Sequence, residues 1–264
     1  MSTRQAYLSM DHWDIADTDM QGKPTGKSKQ YTHINVLAFP KKIDENQFGH
    51  QVVKFNCDKP MFDKMRQLSL EMTNPIPCTL DIDLESGKDR KAKMQCTDIE
   101  FEGQSLLYDN IDITKLPKYD SSFKPLEQLQ GAIQIADKTG YDFTHTRIIP
   151  LFILGMTKRT DKNGIDSAQV YIASRDVRPN TAQHLGLVLT KGDANPALVS
   201  KLKQIVSPEK IKLKPLECIG ICYPRRGAGE TDNFYLADIF LEGGLLLQNT
   251  TSTSTQKKSG ANPK

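Results

Sequence analysis

From residue 76 the chain reads IPCTLDIDLES, and from Thr79 apolar and polar positions alternate strictly. Leu80, Ile82 and Leu84 fall on one face, and Asp81, Asp83 and Glu85 on the other. That period of two is the mark of a half-buried strand. Upstream, YTHINVLAF and GHQVVKFNC are β-branched and aromatic runs parted by a polar, Gly-containing loop, which predicts two more strands. PMFDKMRQLS opens with Pro60 and repeats apolar residues at Met61, Phe62, Met65 and Leu68, the spacing of a short helix with proline in its first turn. KMQCTDIEFEG then returns as a strand beyond a basic loop. The unit reads strand, turn, strand, short helix, strand, turn, strand.

The same pattern is written a second time. Laid without a gap over residues 215–247, residues 75–107 bring Pro75, Cys78, Gly87, Asp98, Ile99, Glu102, Gly103, Leu106 and Leu107 onto Pro215, Cys218, Gly227, Asp238, Ile239, Glu242, Gly243, Leu246 and Leu247. MFDKMRQL (61–68) aligns with LVSKLKQI (198–205), and, more weakly, 34–53 aligns with 152–171. On this alignment the main difference between the copies is an insertion over 174–196 in the second.

A helix between the early and late strands of a five-stranded antiparallel barrel is the OB-fold arrangement. The fold class expected is therefore mainly β with short helices, as two tandem OB-like barrels. Only four strands per copy are clear, and QAYLSM (5–10) and GAIQIAD (131–137) are candidates for the missing fifth in the first and second copy. Boundaries follow: a first domain over 1–111 with an N-terminal extension, a Pro-containing linker over 112–130, and a second domain over 131–247. The Ser/Thr/Gln/Asn-rich stretch 248–264 cannot build a core and is expected to be disordered.

Composition narrows the function classes. With 264 residues, 38% hydrophobic and 25% charged, the chain has a soluble protein's balance. It contains no apolar run of membrane-spanning length. Its N-terminus lacks a signal-peptide layout, and the odd number of scattered cysteines suits reduced thiols, so a cytoplasmic location is expected. No phosphate-binding glycine loop, dinucleotide fingerprint or zinc spacing occurs, so no cofactor is expected. Asp81, Asp83, Glu100 and Glu102 could be imagined as a metal-dependent nuclease centre, but the alternation that groups the aspartates also turns them to solvent. An enzyme is disfavoured.

The net charge of +3 is mild, so its placement matters more than its size. In OB-folds a positive groove follows phosphates while aromatic side chains stack bases. Here the two residue types interleave. The first copy offers Tyr31, Phe39, Lys41 and Lys42 on one strand and its turn, Lys54 and Phe55 on the next, and Lys88, Arg90, Lys91 and Lys93 around the late hairpin. The second offers Lys158 and Arg159, then Tyr171, Arg175 and Arg178, then Tyr223, Arg225, Arg226 and Tyr235. Phe39 and Phe55 either stack bases or fill the core, according to strand register. The acidic face of TLDIDLES repels phosphate. The matching apolar face of the second copy, Ile219, Ile221 and Tyr223, either packs on the first copy or stacks bases.

With VLAFPKKI, GHQVVKFNC, a short helix and TLDIDLESGKDRKAKMQC in this order, the chain resembles the phage-encoded single-stranded-DNA-binding proteins of OB-fold type. The resemblance covers about two thirds of the chain in outline. It implies sequence-nonspecific protection of single-stranded DNA in replication and recombination. It also implies contact with other proteins, host RNA polymerase and thereby transcription among them, for which the tail lysines Lys257, Lys258 and Lys264 are the candidate surface. Bacterial binders of this kind end in an acidic tail with a terminal Pro-Phe, whereas this chain ends SGANPK, so any recruitment uses other chemistry. The competing reading is a β-rich structural or protein-interaction module of a phage or mobile element. Nothing in the sequence recognises or rejects a 2′-hydroxyl, which leaves RNA open as ligand.

Overall fold

The N-terminal extension is the first barrel's opening strand. The computed structural model describes residues 2–247 apart from 39–44, 71, 73–74, 87–91, 117–123, 142–143, 175–180, 207–214, 227–231 and 242–243. The first copy comprises β1 (Ser2–Thr18), β2 (Pro24–Ala38), β3 (Gln47–Gly49), β4 (Gln51–Cys57), α1 (Lys59–Gln67), β5 (Ile76–Ser86), β6 (Ala92–Phe101) and β7 (Gln104–Ser105). After α2 (Lys124–Lys138), the second comprises β8 (Arg147–Thr160), β9 (Asp166–Ser174), β10 (His184–Gly186), β11 (Val188–Ala194), α3 (Ala197–Ile205), β12 (Leu216–Arg226), β13 (Asp232–Leu241) and β14 (Gly244–Leu245).

β1 pairs with β2, β2 with β4, β4 runs parallel to β6, β6 pairs with β5, and β5 closes antiparallel onto β1. The second copy repeats this circuit with β8, β9, β11, β13 and β12, its one parallel contact again joining the third strand to the last. Each helix lies between the third and fourth barrel strands. These are two five-stranded OB-like barrels. The helices bury Met61, Phe62 and Met65 in one copy and Leu198, Val199 and Leu202 in the other, the residues the sequence alignment equates. Each such side chain contributes about 1.5–3 kcal/mol by leaving water.

The twice-written phrase encodes a buried carboxylate. Asp98 accepts the amides of Ile99 at 2.8 Å and Leu107 at 3.3 Å, and Asp238 accepts those of Ile239 at 2.8 Å and Leu247 at 3.1 Å. The carbonyls of Ile99 and Ile239 accept from Leu106 and Leu246. In the first copy the turn is made by Glu102 and Gly103, both at positive φ (50° and 79°), the conformation of a tight two-residue hairpin. Both copies also carry a bulge at the same place, between Asp81 and Ile82 and between Ile221 and Cys222. Asp and Leu-Leu thus recur because one hairpin lock recurs.

Three sequence expectations are corrected. GAIQIAD is helix, part of α2, not a strand. The second barrel's fifth strand is β11, inside the segment read as an insertion. The alignment of 34–53 with 152–171 is one strand out of step, because β2 corresponds to β9 and β8 to β1. The reason is that residues 13–31 of β1 and β2 form a ribbon exposed along nearly its whole length, so no hydrophobic alternation announces it. With the step restored, the pair Asp14–Gln30 corresponds to Thr160–Asp166, and residues 15–29 stand where 161–165 stand. The length difference is an arm in the first copy.

The copies interlock. β3 of the first copy lies along β8 of the second, and β10 of the second lies along β1 of the first. Phe48 therefore enters the second core, while Leu185 and Leu187 enter the first. α2 covers Ile219 and Ile221 with Ala132 and Ala136 in a third cluster. Ile219 and Ile221 pack against this helix, not against the first barrel and not open for stacking, while Tyr223 is half-buried. All five cysteines are buried and unpaired, and burial pushes the thiols of Cys78, Cys96 and Cys222 up to about 12. No helix among the described residues is long and apolar enough to cross a membrane.

Candidate nucleic-acid interface

Register decides which predicted residues face outward. On the β1–β2–β4 sheet, Ile34 pairs with Phe55 and both are buried, so Phe55 is a core residue and not a stacking platform. The neighbouring rows lie on the opposite face of the sheet: Ser9, itself buried, with Asn35 and Lys54 in one, Asp11, His33 and Asn56 in the next, then Trp13 and Tyr31. Trp13 and Tyr31 sit directly opposite each other in the ladder at 46% and 43% exposure. Burial, then the nearby Lys54 ammonium, holds His33 below its ordinary pKa.

The corresponding face of the second barrel meets this one. Tyr171 pairs with Lys191, whose Nζ lies 5.5 Å from the ring centroid, a cation–π geometry. Between the two faces is a groove of about 450 Å³ lined by Asp11, Trp13, Asn35, Val52, Tyr171, His184 and Lys191, among others. At its side, His184 Nδ1 lies 2.7 Å from Asp11 Oδ1, and the Asn35 amide donates to Asp11 Oδ2 at 3.0 Å. The hydrogen bond to Asp11 raises the His184 pKa against the opposing effect of burial. When protonated, His184 forms an ion pair with Asp11.

The structure gathers only some of the predicted residues. Tyr171 lines the groove, Tyr31 is exposed opposite the groove residue Trp13, and Lys54 is exposed on the same sheet. Lys158 is ion-paired to Asp166 at 2.6 Å, and Arg159, exposed beside it, holds the position of Trp13 in the second barrel. Tyr223 and Tyr235 oppose each other, half-buried, on the β12–β13 pair, where Tyr141 lies 6.4 Å from the Tyr223 ring. Lys93, Arg225 and Arg226 take ladder positions opposite Glu85, Asn233 and Asp232. Phe39, Lys41, Lys42, Lys88, Arg90, Lys91, Arg175, Arg178, Lys257, Lys258 and Lys264 lie outside the described residues. Among the described residues no group of three His, Cys, Asp or Glu side chains is placed to hold a metal ion.

Sequence reasoning missed two residues. Lys191 was hidden in the supposed insertion, although QFGHQVVKFNC laid on HLGLVLTKGDA matches Gly49 to Gly186 and Lys54 to Lys191. Trp13 sits in the exposed ribbon, where only its pairing with Tyr31 gives it a role.

No known protein family profile matches the chain, and no curated protein matches it. Two solved structures of the single-stranded DNA binding protein from Thermus aquaticus are similar to 89% of the chain. The deletion mutant is 11% identical with 91% of its chain covered and a TM-score of 0.20; the wild-type protein is 10% identical with 90% covered and a TM-score of 0.21. At those superposition values the likeness carries no argument about what this protein binds.

Proposed function

We propose that this protein binds single-stranded DNA with little sequence preference, shielding exposed strands in replication and recombination. The observation that carries the reading is the outward-facing pair Trp13–Tyr31 beside a groove walled by Tyr171 and Lys191. Unpaired bases stack on aromatic faces at about 1–3 kcal/mol each, and any base suffices, which makes binding tolerant of sequence. Lys54 and Lys191 neutralise phosphates and release counterions. The arm adds Lys23, Lys27 and Lys29, of which Lys29 is ion-paired to Asp17 at 2.7 Å. Duplex DNA, with its bases stacked inside, offers nothing to these rings. The tail lysines extend the reading to a protein partner with an acidic surface, RNA polymerase in the first instance. Deletion of residues 248–264 that leaves polymerase retention unchanged would remove that part.

The test uses Trp13, the chain's one tryptophan. Its fluorescence is titrated with oligo-dT and with duplex DNA across a salt series. Strong quenching by oligo-dT that weakens steeply with salt, against little response to duplex, is the expected result. Equal responses to both, or none at low salt, would refute the reading.

A further inference from the structure

The backbone contacts of the strand exchange occur in equivalent pairs. The His50 amide donates to the Leu154 carbonyl at 2.9 Å, and the Leu187 amide to the Leu8 carbonyl at 2.9 Å. The Lys158 amide donates to Asn46 at 2.7 Å, and the His12 amide to Gln183 at 2.8 Å. Gly49 faces Gly155, and Gly186 faces Ser9, at equivalent points of the two barrels. Contacts in which one surface meets its own equivalent, each way, belong to a two-fold axis; a head-to-tail arrangement would supply only one of each pair. The groove lies across that axis. Two equivalent pairs line it, Val52 with Leu189 and Asn35 with Tyr171.

A nucleic-acid strand has a direction, and a groove that fixes phosphate, sugar and base in order accepts one direction better than the other. A two-fold rotation reverses anything lying across its axis. A strand running straight over the groove therefore meets the second barrel in the sense opposite to the first. We infer that the two barrels hold strand segments of opposite polarity, so that a single bound strand doubles back at the groove. This rests on the single-strand-binding reading above.

The experiment compares three oligo-dT ligands of the shortest length that saturates Trp13 quenching. One is uniform, one carries a central 3′–3′ linkage and one a central 5′–5′ linkage. One of the two inverted linkages presents both halves in the sense each barrel accepts without a turn, and the other presents both in the opposite sense. One inverted oligonucleotide should bind about tenfold or more tighter than the uniform one, because it engages both barrels at once. A uniform strand that binds as tightly as the tighter of the two inverted ones overturns the polarity inference and leaves single-strand binding intact. Failure of all three to bind at low salt overturns single-strand binding itself, and the inference with it.

Discussion

The amide of Leu187, from the second copy, donates to the carbonyl of Leu8, from the first, at 2.9 Å. This hydrogen bond, with its counterpart from His50 to Leu154, turns two small barrels into one interlocked body and brings their outer faces together at the groove. The joint depends on backbone approach that tolerates no side chain. Gly186 has φ +97°, and a Cβ there would lie 2.5 Å from the Leu8 oxygen; Gly49 has φ +74°, and a Cβ there would lie 2.7 Å from the Leu154 oxygen.

Gly186→Ala and Gly49→Ala should each cost about 1–3 kcal/mol through backbone strain and lost pairing. Denaturant midpoints of the two variants measure this. An alanine at either position without a shifted midpoint would show that the exchanged strands do not carry stability.

Asp238→Ala should cost about 1–3 kcal/mol, because the amides of Ile239 and Leu247 lose their buried acceptor. Asp238→Asn should cost less: burial already holds the Asp238 carboxyl above its ordinary pKa, and the asparagine carbonyl can accept the same bonds. Equal losses for the two variants in thermal unfolding would contradict the role as acceptor.

Trp13→Ala and Phe55→Ala separate surface from core. The first removes a stacking face and should weaken oligo-dT binding by about 1–3 kcal/mol with little change in stability, read by anisotropy of labelled DNA. The second empties a buried site and should cost about 3–5 kcal/mol of stability, leaving the affinity of the folded fraction nearly unchanged. Reversal of these two outcomes would invert the assignment of the faces.

Lys191→Gln should lower affinity uniformly across oligonucleotide sequences and reduce the salt-dependence slope by about 1, the signature of one phosphate contact. An unchanged slope would assign Lys191 to its cation–π contact with Tyr171 alone.

The His184–Asp11 contact predicts a pH dependence. The folded pKa of His184 is raised above the ordinary 6.5, chiefly by its hydrogen bond to Asp11. Its stabilising contribution is therefore complete below about pH 6.5 and lost as pH rises through the folded value. The melting temperature of the wild type should exceed that of His184→Gln by more at pH 6 than at pH 8.5. A constant gap would mean that the imidazolium contributes nothing at the joint.

Much of the fold was legible along the chain because local physics wrote it there. Strict alternation over Thr79–Ser86, the spacing of Met61, Phe62 and Met65, and the recurring Asp, Glu-Gly and Leu-Leu each depend on neighbours a few residues away. From these alone the two barrels and the helix within each follow. What failed was whatever depends on a distant partner. β11 is a strand because β9 and β13 close on it, and GAIQIAD is helix because Ile219 and Ile221 need a cover. Phe55 and Tyr31 look alike in sequence; register alone turns one into the core and the other to solvent. Sequence by itself determined the repeated unit and its basic, aromatic character. Tertiary structure decided which residues share the groove, because a reciprocal exchange between segments more than a hundred residues apart leaves no local periodicity to read.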